Sequence, residues 1–227
     1  MSQPVLNYDI ALRLPRPRTL TFILLAALTL TLLTFLAMGL GGELSAHLWT
    51  LYAAGRGLSP EEVKLTNGSH EVSTFAFPAV VFTFILLLFW MVDAQRNLRA
   101  LTAGRLRFSR VDVFMGWILP RVCFIRPFEV MKEIYARSRG LPREVFAPLC
   151  GCWWGFLLAA NLAALARMLA FSHTELRGAD AQIYYADWTV LCAIPYLISG
   201  ACLAALVYRT DRAQARCKIA AGISGHL

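Results

Sequence analysis

The sequence predicts an all-α, polytopic membrane protein with four transmembrane helices, a Pro-broken half-helix and an amphipathic interfacial helix. Three observations predict this fold class: four long uncharged stretches, a one-sided distribution of arginines, and an ordered pattern in the basic segment between the second and third stretches. Only 16% of the residues are charged, whereas soluble domains carry about 25%. We expect a single membrane domain over residues 1–227.

Each uncharged stretch has the length of one membrane crossing. The four stretches contain no Asp, Glu, Lys or Arg and cover residues 19–40, 72–92, 145–166 and 188–208. A helix rises about 1.5 Å per residue, so about 20 apolar residues cross a hydrocarbon core of about 30 Å. The first stretch is longer than the apolar core of a secretory signal peptide, so we interpret it as a retained helix.

The basic residues predict the orientation. Lys and Arg number 3, 2, 11, 2 and 4 in the five segments that the stretches separate, so 18 of 22 lie on one side. Because segments rich in Lys and Arg stay in the cytoplasm, we expect both termini and the segment 93–144 on the cytoplasmic face of a bacterial inner membrane. This bias explains the net charge of +8 without a nucleic-acid partner. Attraction to anionic lipid headgroups, about 1 kcal/mol per basic residue, follows from it.

The segment between the second and third stretches begins with a half-length helix. Ser109 and Asp112 match a capping box, and Pro120 ends the apolar run that follows. A helix over 110–119 covers only about 15 Å, half of a bilayer. It must re-enter the membrane, pack among the other helices or lie in the interface, and Trp117 favours the headgroup boundary.

An amphipathic helix is predicted next, with Pro127 in its first turn. Phe128, Met131 and Tyr135 form an apolar stripe at helical spacing. The other side of this helix carries its polar residues, Glu129, Lys132, Glu133 and Arg137. Glu133 and Arg137 are spaced for an i, i+4 ion pair. The pattern predicts an interfacial helix whose apolar face enters the membrane or packs on the bundle.

Short motifs in this segment resemble those of a known family. They are Arg96-Asn97-Leu98-Arg99-Ala-Leu101, Phe108-Ser109, Gly116-Trp117-x-x-Pro120 and Arg126-Pro127-x-x-x-Met131-x-Glu133-Ile134. The chain is similar there to the bacterial membrane proteins grouped as domain of unknown function 4328 (DUF4328), whose motifs also follow one span. Where that family has Ser-Pro after the Phe, a second Trp and an Asn between the two prolines, this chain has Arg110, Ile118 and Cys123 at or near those places. The resemblance implies no reaction, because the function of the family is unknown.

Four arginines of this segment are candidates for binding lipid or another anion. Arg121 and Arg126 flank the turn between the two prolines, and Arg96 and Arg99 follow the second span. Charges close to hydrocarbon often mark function, and broken helices form anion sites in transporters. The alternative is that these side chains extend to lipid phosphates at the interface.

Small residues on the third and fourth spans predict close helix contacts. Gly151, Gly155, Ala159 and Ala163 recur at four-residue spacing in the third span, and Gly200 and Ala204 do so in the fourth. Small side chains allow two helices to approach closely in lipid. We expect these faces to pack the third span on the fourth, or to form an oligomer contact.

No catalytic pattern accompanies these features. The sequence contains no recognisable nucleophile–base set, paired intramembrane carboxylates or nucleotide-binding loop. The six cysteines avoid the two loops opposite the basic side, and Cys150 and Cys152 have no further ligands nearby, so we expect neither disulfides nor a metal or other cofactor. The sequence favours a non-enzymatic accessory or scaffold subunit that engages anionic lipid or a partner protein. The alternative is a small oligomeric transporter or channel with an anion-binding turn between Pro120 and Pro127.

Overall fold

The computed structural model describes residues 18–102, 106–119, 123–142, 147–173 and 178–220. Over these ranges the chain forms six helices and no strand. The helices are α1 (Arg18–Ala53), α2 (Pro60–Leu101), α3 (Arg110–Ile118), α4 (Arg126–Ser138), α5 (Pro148–His173) and α6 (Ala179–Ala220). The all-α prediction is confirmed.

Four of the helices are long and apolar enough to cross a membrane. Within the described ranges the candidate spans are Thr19–Ala53, Thr74–Leu101, Pro148–Ala170 and Ala179–Cys217. They belong to α1, α2, α5 and α6, and each contains or largely overlaps one of the predicted spans. The helices α2 and α6 have 42 residues each, which corresponds to about 63 Å and therefore exceeds the thickness of the hydrocarbon core.

The start of α2 lies well outside the uncharged stretch that predicted this span. The Ser59 N–H donates to Glu62 Oε2 at 2.8 Å, and the Glu62 N–H donates to Ser59 Oγ at 3.3 Å, which is a capping box ahead of Pro60. Arg56 completes this end with an ion pair to Glu62 at 2.8 Å. The Ser59 N–H and hydroxyl together with Arg56 hold the pKa of Glu62 below its ordinary value. The segment 41–71, between the first two uncharged stretches, is therefore largely helical.

The chain divides into two compact units. Unit 1 contains Met1–Ala26, Thr83–Gly151 and Cys202–Leu227, and unit 2 contains Ala27–Phe82 and Cys152–Ala201. By sequence, unit 1 carries 18 basic and 7 acidic residues, whereas unit 2 carries 4 and 7. The division by contacts therefore coincides with the charge asymmetry of the sequence.

In unit 2, polar and aromatic contacts join the long helices. Ser199 Oγ of α6 donates to the Trp153 carbonyl of α5 at 2.9 Å. The Tyr196 hydroxyl donates to Asn161 Oδ1 of α5 at 3.3 Å, and the Tyr196 ring stacks on Phe35 of α1 with centroids 4.5 Å apart. Hydrogen bonds between helices are available to these groups because no water competes for them in lipid.

The small residues of α5 and α6 are used differently from one another. A Cβ added at Gly200 would lie 2.7 Å from Leu32 Cδ2, so α6 approaches α1 closely at this glycine. At Gly151 and Gly155 an added Cβ would meet no atom within 4 Å. Ala159 is exposed, and Ala163 and Ala204 are half-buried. Within one chain the two glycines of α5 therefore mediate no helix packing, and their use in an oligomer stays a prediction.

Candidate functional site

The start of α3 is built by the predicted capping box. The Ser109 N–H donates to Asp112 Oδ2 at 2.7 Å, and the Asp112 N–H donates to Ser109 Oγ at 3.2 Å. The Ser109 N–H and hydroxyl, with additional attraction from Arg126 and Arg99, lower the pKa of the Asp112 carboxyl group. The predicted helix over 110–119 is confirmed as Arg110–Ile118.

The helix α3 runs antiparallel to α2 within unit 1. At its beginning, the Phe108 carbonyl accepts hydrogen bonds from the side chains of Gln95 and Arg99. Nine residues later the Trp117 ring packs edge-on against Phe84, with centroids 4.8 Å apart. From Phe108 to Trp117 the chain advances by about 14 Å of helix, and α2 covers about 16 Å from Gln95 back to Phe84. The two helices therefore cover a similar distance in opposite directions.

The helix α4 returns in the opposite direction. Its first residue, Arg126, passes next to Gly116, where an added Cβ would lie 2.7 Å from Arg126 Cγ. Seven residues later, Glu133 lies at the level of Phe108 and accepts hydrogen bonds from its N–H. The helices α3 and α4 thus run antiparallel to each other, and this pair, Arg110–Ile118 with Arg126–Ser138, is called the hairpin below.

A set of side chains holds the open end of the hairpin to α2. Since α2 ends at Leu101 and α3 begins at Arg110, Phe108 lies outside any helix. Its backbone N–H and carbonyl groups therefore need hydrogen-bond partners other than those of a helix. Glu133 accepts from the N–H of Arg107 at 2.9 Å and of Phe108 at 3.3 Å, while Gln95 and Arg99 donate to the Phe108 carbonyl. The Glu133 side chain is almost fully buried, so these bonds compensate the loss of its hydration.

Two arginines lie over the Phe108 ring, and a carboxylate joins them. The guanidinium carbons of Arg107 and Arg126 each lie 5.1 Å from the ring centroid. Glu129 lies between the two arginines, 3.9 Å from a terminal nitrogen of each. We call this set the Phe108 cluster; it consists of Phe108, Arg99, Arg107, Arg126, Asp112, Glu129 and Glu133. The cluster contains three guanidinium groups and three carboxylates, so its formal charges balance.

A second buried connection ties the hairpin to α6. The amide nitrogen of Gln214 donates to the Ala94 carbonyl of α2 at 3.1 Å and to Ser138 Oγ of α4 at 2.9 Å. All three groups are buried. The Gln214 side chain of α6 therefore connects the last turn of α4 to α2. Sequence reasoning did not identify this residue.

The comparisons with known proteins assign the chain to a family. The family model described as a domain of unknown function, DUF4328, matches residues 54–212. The chain belongs to the DUF4328 family. No curated protein and no solved structure matches the chain. The matched region of this DUF4328 protein covers α2 to α5 and most of α6, so it includes the whole hairpin.

The residues of the DUF4328 motifs quoted above lie close together where α2 contacts the hairpin. Asn97, Leu98 and Phe108 are buried at its open end, and Met131 and Ile134 are buried on α4. Gly116 lets the Arg126 side chain pass, and Glu133 holds the turn before α3. These motif residues therefore build the junction of α2, α3 and α4.

The predicted anion-binding arginines are distributed unevenly. Arg99 and Arg126 meet in the Phe108 cluster, whereas Arg96 is exposed and forms no part of it. Arg121 and Pro120 lie outside the described residues. Arg107, which sequence reasoning did not single out, is the third arginine of the cluster.

For the amphipathic helix α4, the structure favours one of the two predicted environments. Met131 and Tyr135 of α4 are buried and Phe128 is half-buried, so this helix packs on the bundle. The expectation that Glu133 belongs to a polar face and pairs with Arg137 is wrong, because Glu133 turns to the backbone before α3. The exposed apolar side chains belong to α3 and the turn after it: Val111, Phe114, Met115, Leu119, Phe124 and Ile125.

The exposed charges of unit 1 have one sign. Where the structure describes side chains in this unit, eight arginines are exposed: Arg96, Arg107, Arg110, Arg137, Arg139, Arg209, Arg212 and Arg216. The five carboxylates described there are buried or half-buried: Asp93, Asp112, Glu129, Glu133 and Asp211. In the described part of unit 2 the exposed charges are mainly acidic, namely Glu43, Glu61, Glu71, Asp180 and Asp187 against Arg56 and Lys64. Within the described ranges, no group of three or more His, Cys, Asp or Glu could hold a metal ion.

Proposed function

We propose that this DUF4328 protein is a non-enzymatic accessory or scaffold subunit of the bacterial inner membrane, which engages anionic lipid headgroups or a partner protein through its arginine-rich surface. One observation carries the proposal. In the described part of unit 1, eight arginines are exposed and every carboxylate is at least half-buried. This surface therefore attracts anions without exposed carboxylates competing for the arginines.

Arginine suits this role because its planar guanidinium group binds phosphate through two parallel hydrogen bonds. Each basic residue near an anionic membrane surface contributes about 1 kcal/mol, which is about a fivefold change in affinity. The arginines on the last part of α6 are well suited to a test, because Arg209, Arg212 and Arg216 are exposed together on one helix.

The Phe108 cluster serves as the support of this surface. Its carboxylates and guanidinium groups balance each other, and Glu133 is satisfied by two backbone N–H groups. A cluster with its charges compensated holds the hairpin in place and leaves anion binding to the exposed arginines. Arg107 belongs to both sets, since it is exposed and also faces Phe108.

The lipid preference of purified protein tests the proposal. Native mass spectrometry in mixed micelles with phosphatidylglycerol and phosphatidylethanolamine would compare the wild type with the variant Arg209→Gln, Arg212→Gln, Arg216→Gln. We expect the variant to lose most of its preference for the anionic lipid. The matched control is Arg56→Gln with Lys64→Gln in unit 2, which should retain the preference. Equal preference in all three proteins would contradict the proposal.

The second candidate is a small oligomeric transporter or channel. It is favoured by the helix broken between α3 and α4, whose flanking residue Arg126 passes close to Gly116. Replacing Arg121 and Arg126 by Gln distinguishes the two functions in reconstituted vesicles. Lost anion flux with normal membrane insertion would support transport, whereas unchanged flux with weakened lipid or partner association would support the scaffold.

A further inference from the structure

We infer that Tyr208, Arg209, Arg212 and Arg216 of α6 form a binding site for the headgroup of cardiolipin, a lipid with two phosphate groups, in preference to lipids with one. The inference rests on the proposed function, because it names one lipid among the anionic lipids that the arginine-rich surface engages. Five observations carry it: the exposed face that these residues share, the place where this face becomes charged, the direction of one arginine, the position of the neighbouring carboxylate and the spacing of the arginines.

The four residues share one exposed face of α6 in unit 1. Arg209, Arg212 and Arg216 follow one another at steps of three and four residues, and Tyr208 lies one turn before Arg212, so they are neighbours on the helix surface. All four side chains are exposed. The opposite face of this part of α6 is buried, and its residues are Leu203, Leu206, Val207, Thr210 and Gln214. Packing within unit 1 therefore fixes this part of the helix and leaves the arginines accessible to a ligand.

The charged part of this face begins where an apolar stretch ends. Tyr208 is the last residue of the uncharged stretch 188–208, and Arg209 is the first charged residue after it. The candidate span Ala179–Cys217 has 39 residues, or about 58 Å of helix, which exceeds a hydrocarbon core of about 30 Å. Because a charge in hydrocarbon is costly and tyrosine is typical of the membrane boundary, the face passes from acyl chains to lipid phosphates near Tyr208.

The Arg212 side chain extends back toward this boundary. Its guanidinium carbon lies 4.7 Å from the centroid of the Tyr208 ring, one helical turn nearer to the uncharged stretch. Helical side chains point toward the N-terminus of their helix, and long basic side chains extend to the membrane interface. Two arginines are therefore available at the level of Tyr208: Arg209 by its position in the chain and Arg212 by the direction of its side chain.

The carboxylate next to these arginines in sequence is engaged elsewhere. Asp211 Oδ1 accepts a hydrogen bond from Thr21 Oγ1 of α1 at 3.1 Å, and Thr21 Oγ1 accepts one from Trp90 Nε1 of α2 at 3.2 Å. These bonds hold Asp211 toward α1. Among the residues that the structure describes, none of the three arginines of this face forms an ion pair. Their positive charges are therefore available to an anion.

The spacing of the arginines favours two phosphates over one. Arg209 and Arg212 lie about 4.5 Å apart along the helix, and Arg216 follows about 6 Å further on. One guanidinium group binds one phosphate through two parallel hydrogen bonds. Cardiolipin joins two phosphates through one glycerol, so a phosphate held by one arginine brings the second phosphate to the neighbouring arginine within the same molecule. The second contact corresponds to about a fivefold gain in affinity.

Competition between cardiolipin and phosphatidylglycerol tests the inference. The full-length protein would be placed in nanodiscs of phosphatidylethanolamine that contain the two anionic lipids at equal phosphate concentration. Native mass spectrometry would measure how much of each lipid stays bound, relative to its concentration. The test variant is Arg209→Gln with Arg212→Gln. The matched control is Arg110→Gln with Arg137→Gln, which also removes two exposed arginines of unit 1, but from α3 and α4.

We expect the wild type and the control to bind cardiolipin about fivefold better than phosphatidylglycerol, and we expect the test variant to bind the two lipids about equally. A preference for cardiolipin that survives in the test variant, or that is lost equally in the control, would overturn the inference. Equal binding of both anionic lipids by the wild type, each above phosphatidylethanolamine, would overturn it and leave the proposed function intact. Equal binding of all three lipids would overturn both.

Discussion

At the scale of single residues, Glu133 shows that the periodicity of a helix does not by itself predict which side chains are buried. Its position among Glu129, Lys132 and Arg137 predicts an exposed polar face. In the structure it is buried and accepts hydrogen bonds from two consecutive backbone N–H groups. The sequence did contain a signal, since Glu133 belongs to the quoted family motif, but the periodicity of one helix cannot tell which residues are covered by another segment.

Replacing Glu133 by Gln should destabilise the protein. The amide retains one acceptor oxygen but places an NH₂ group against a backbone N–H, so we expect a loss of about 1–3 kcal/mol in the free energy of unfolding. Glu129→Gln is the control, because its side chain is half-exposed and its ion pairs are long, with an expected loss of at most about 1 kcal/mol. Denaturant unfolding in detergent would measure both, and equal losses would show that Glu133 does not support the turn.

Gly116 allows a side chain to pass, and it should be sensitive to a single added methyl group. Because its Cβ would lie 2.7 Å from Arg126 Cγ, we expect Gly116→Ala to cost about 1–3 kcal/mol of stability. The same substitution should cost less in an Arg126→Ala background, where Cγ is removed. A double-mutant cycle measures this coupling. Additive effects would mean that the close approach of the two residues is absent in the membrane.

At the scale of elements, the sequence predicted where the short helices lie but not which of them exposes its apolar side chains. The capping box at Ser109 and the first-turn Pro127 placed α3 and α4 within a residue or two of their observed starts, because caps act locally. The environment of α4 depends on contacts distant in sequence, such as Gln214 with Ser138. No local pattern encodes those contacts, so the sequence leaves the environment of both short helices open.

The glycines of α5 and α6 should respond differently to alanine. Gly200→Ala introduces a Cβ 2.7 Å from Leu32, so we expect a loss of about 1–3 kcal/mol of stability. Gly155→Ala meets no neighbour and should be neutral or stabilising by up to about 1 kcal/mol, because alanine favours the helix. Thermal unfolding of the protein in detergent would compare the two variants. A large loss for Gly155→Ala would indicate that this face is covered in an oligomer.

At the scale of the whole molecule, the composition and the alternation of charged and uncharged segments predicted the class of protein and the number of candidate spans. The uncharged stretches identified four helices that are able to cross a membrane, because lipid excludes charge over the full thickness of its core. They did not give the ends of these helices. Polar turns such as the one capped by Ser59 continue α2 beyond the stretch, and local hydrogen bonds set those ends.

The orientation of the molecule is open to a direct test. The arginine distribution predicts that both termini and the segment 93–144 lie in the cytoplasm. Fusions of a reporter that is active only in the cytoplasm should therefore fluoresce at either terminus and remain dark when inserted after Gly57. The opposite pattern would invert the topology and direct the arginine-rich surface away from the cytoplasm.

The proposed function is tested most directly by native mass spectrometry of the protein extracted gently from its own membrane. We expect a stoichiometric protein partner, anionic lipid or both to be bound to the DUF4328 chain. A homo-oligomer that holds only a small anion or neutral lipid would contradict the accessory role and would favour transport.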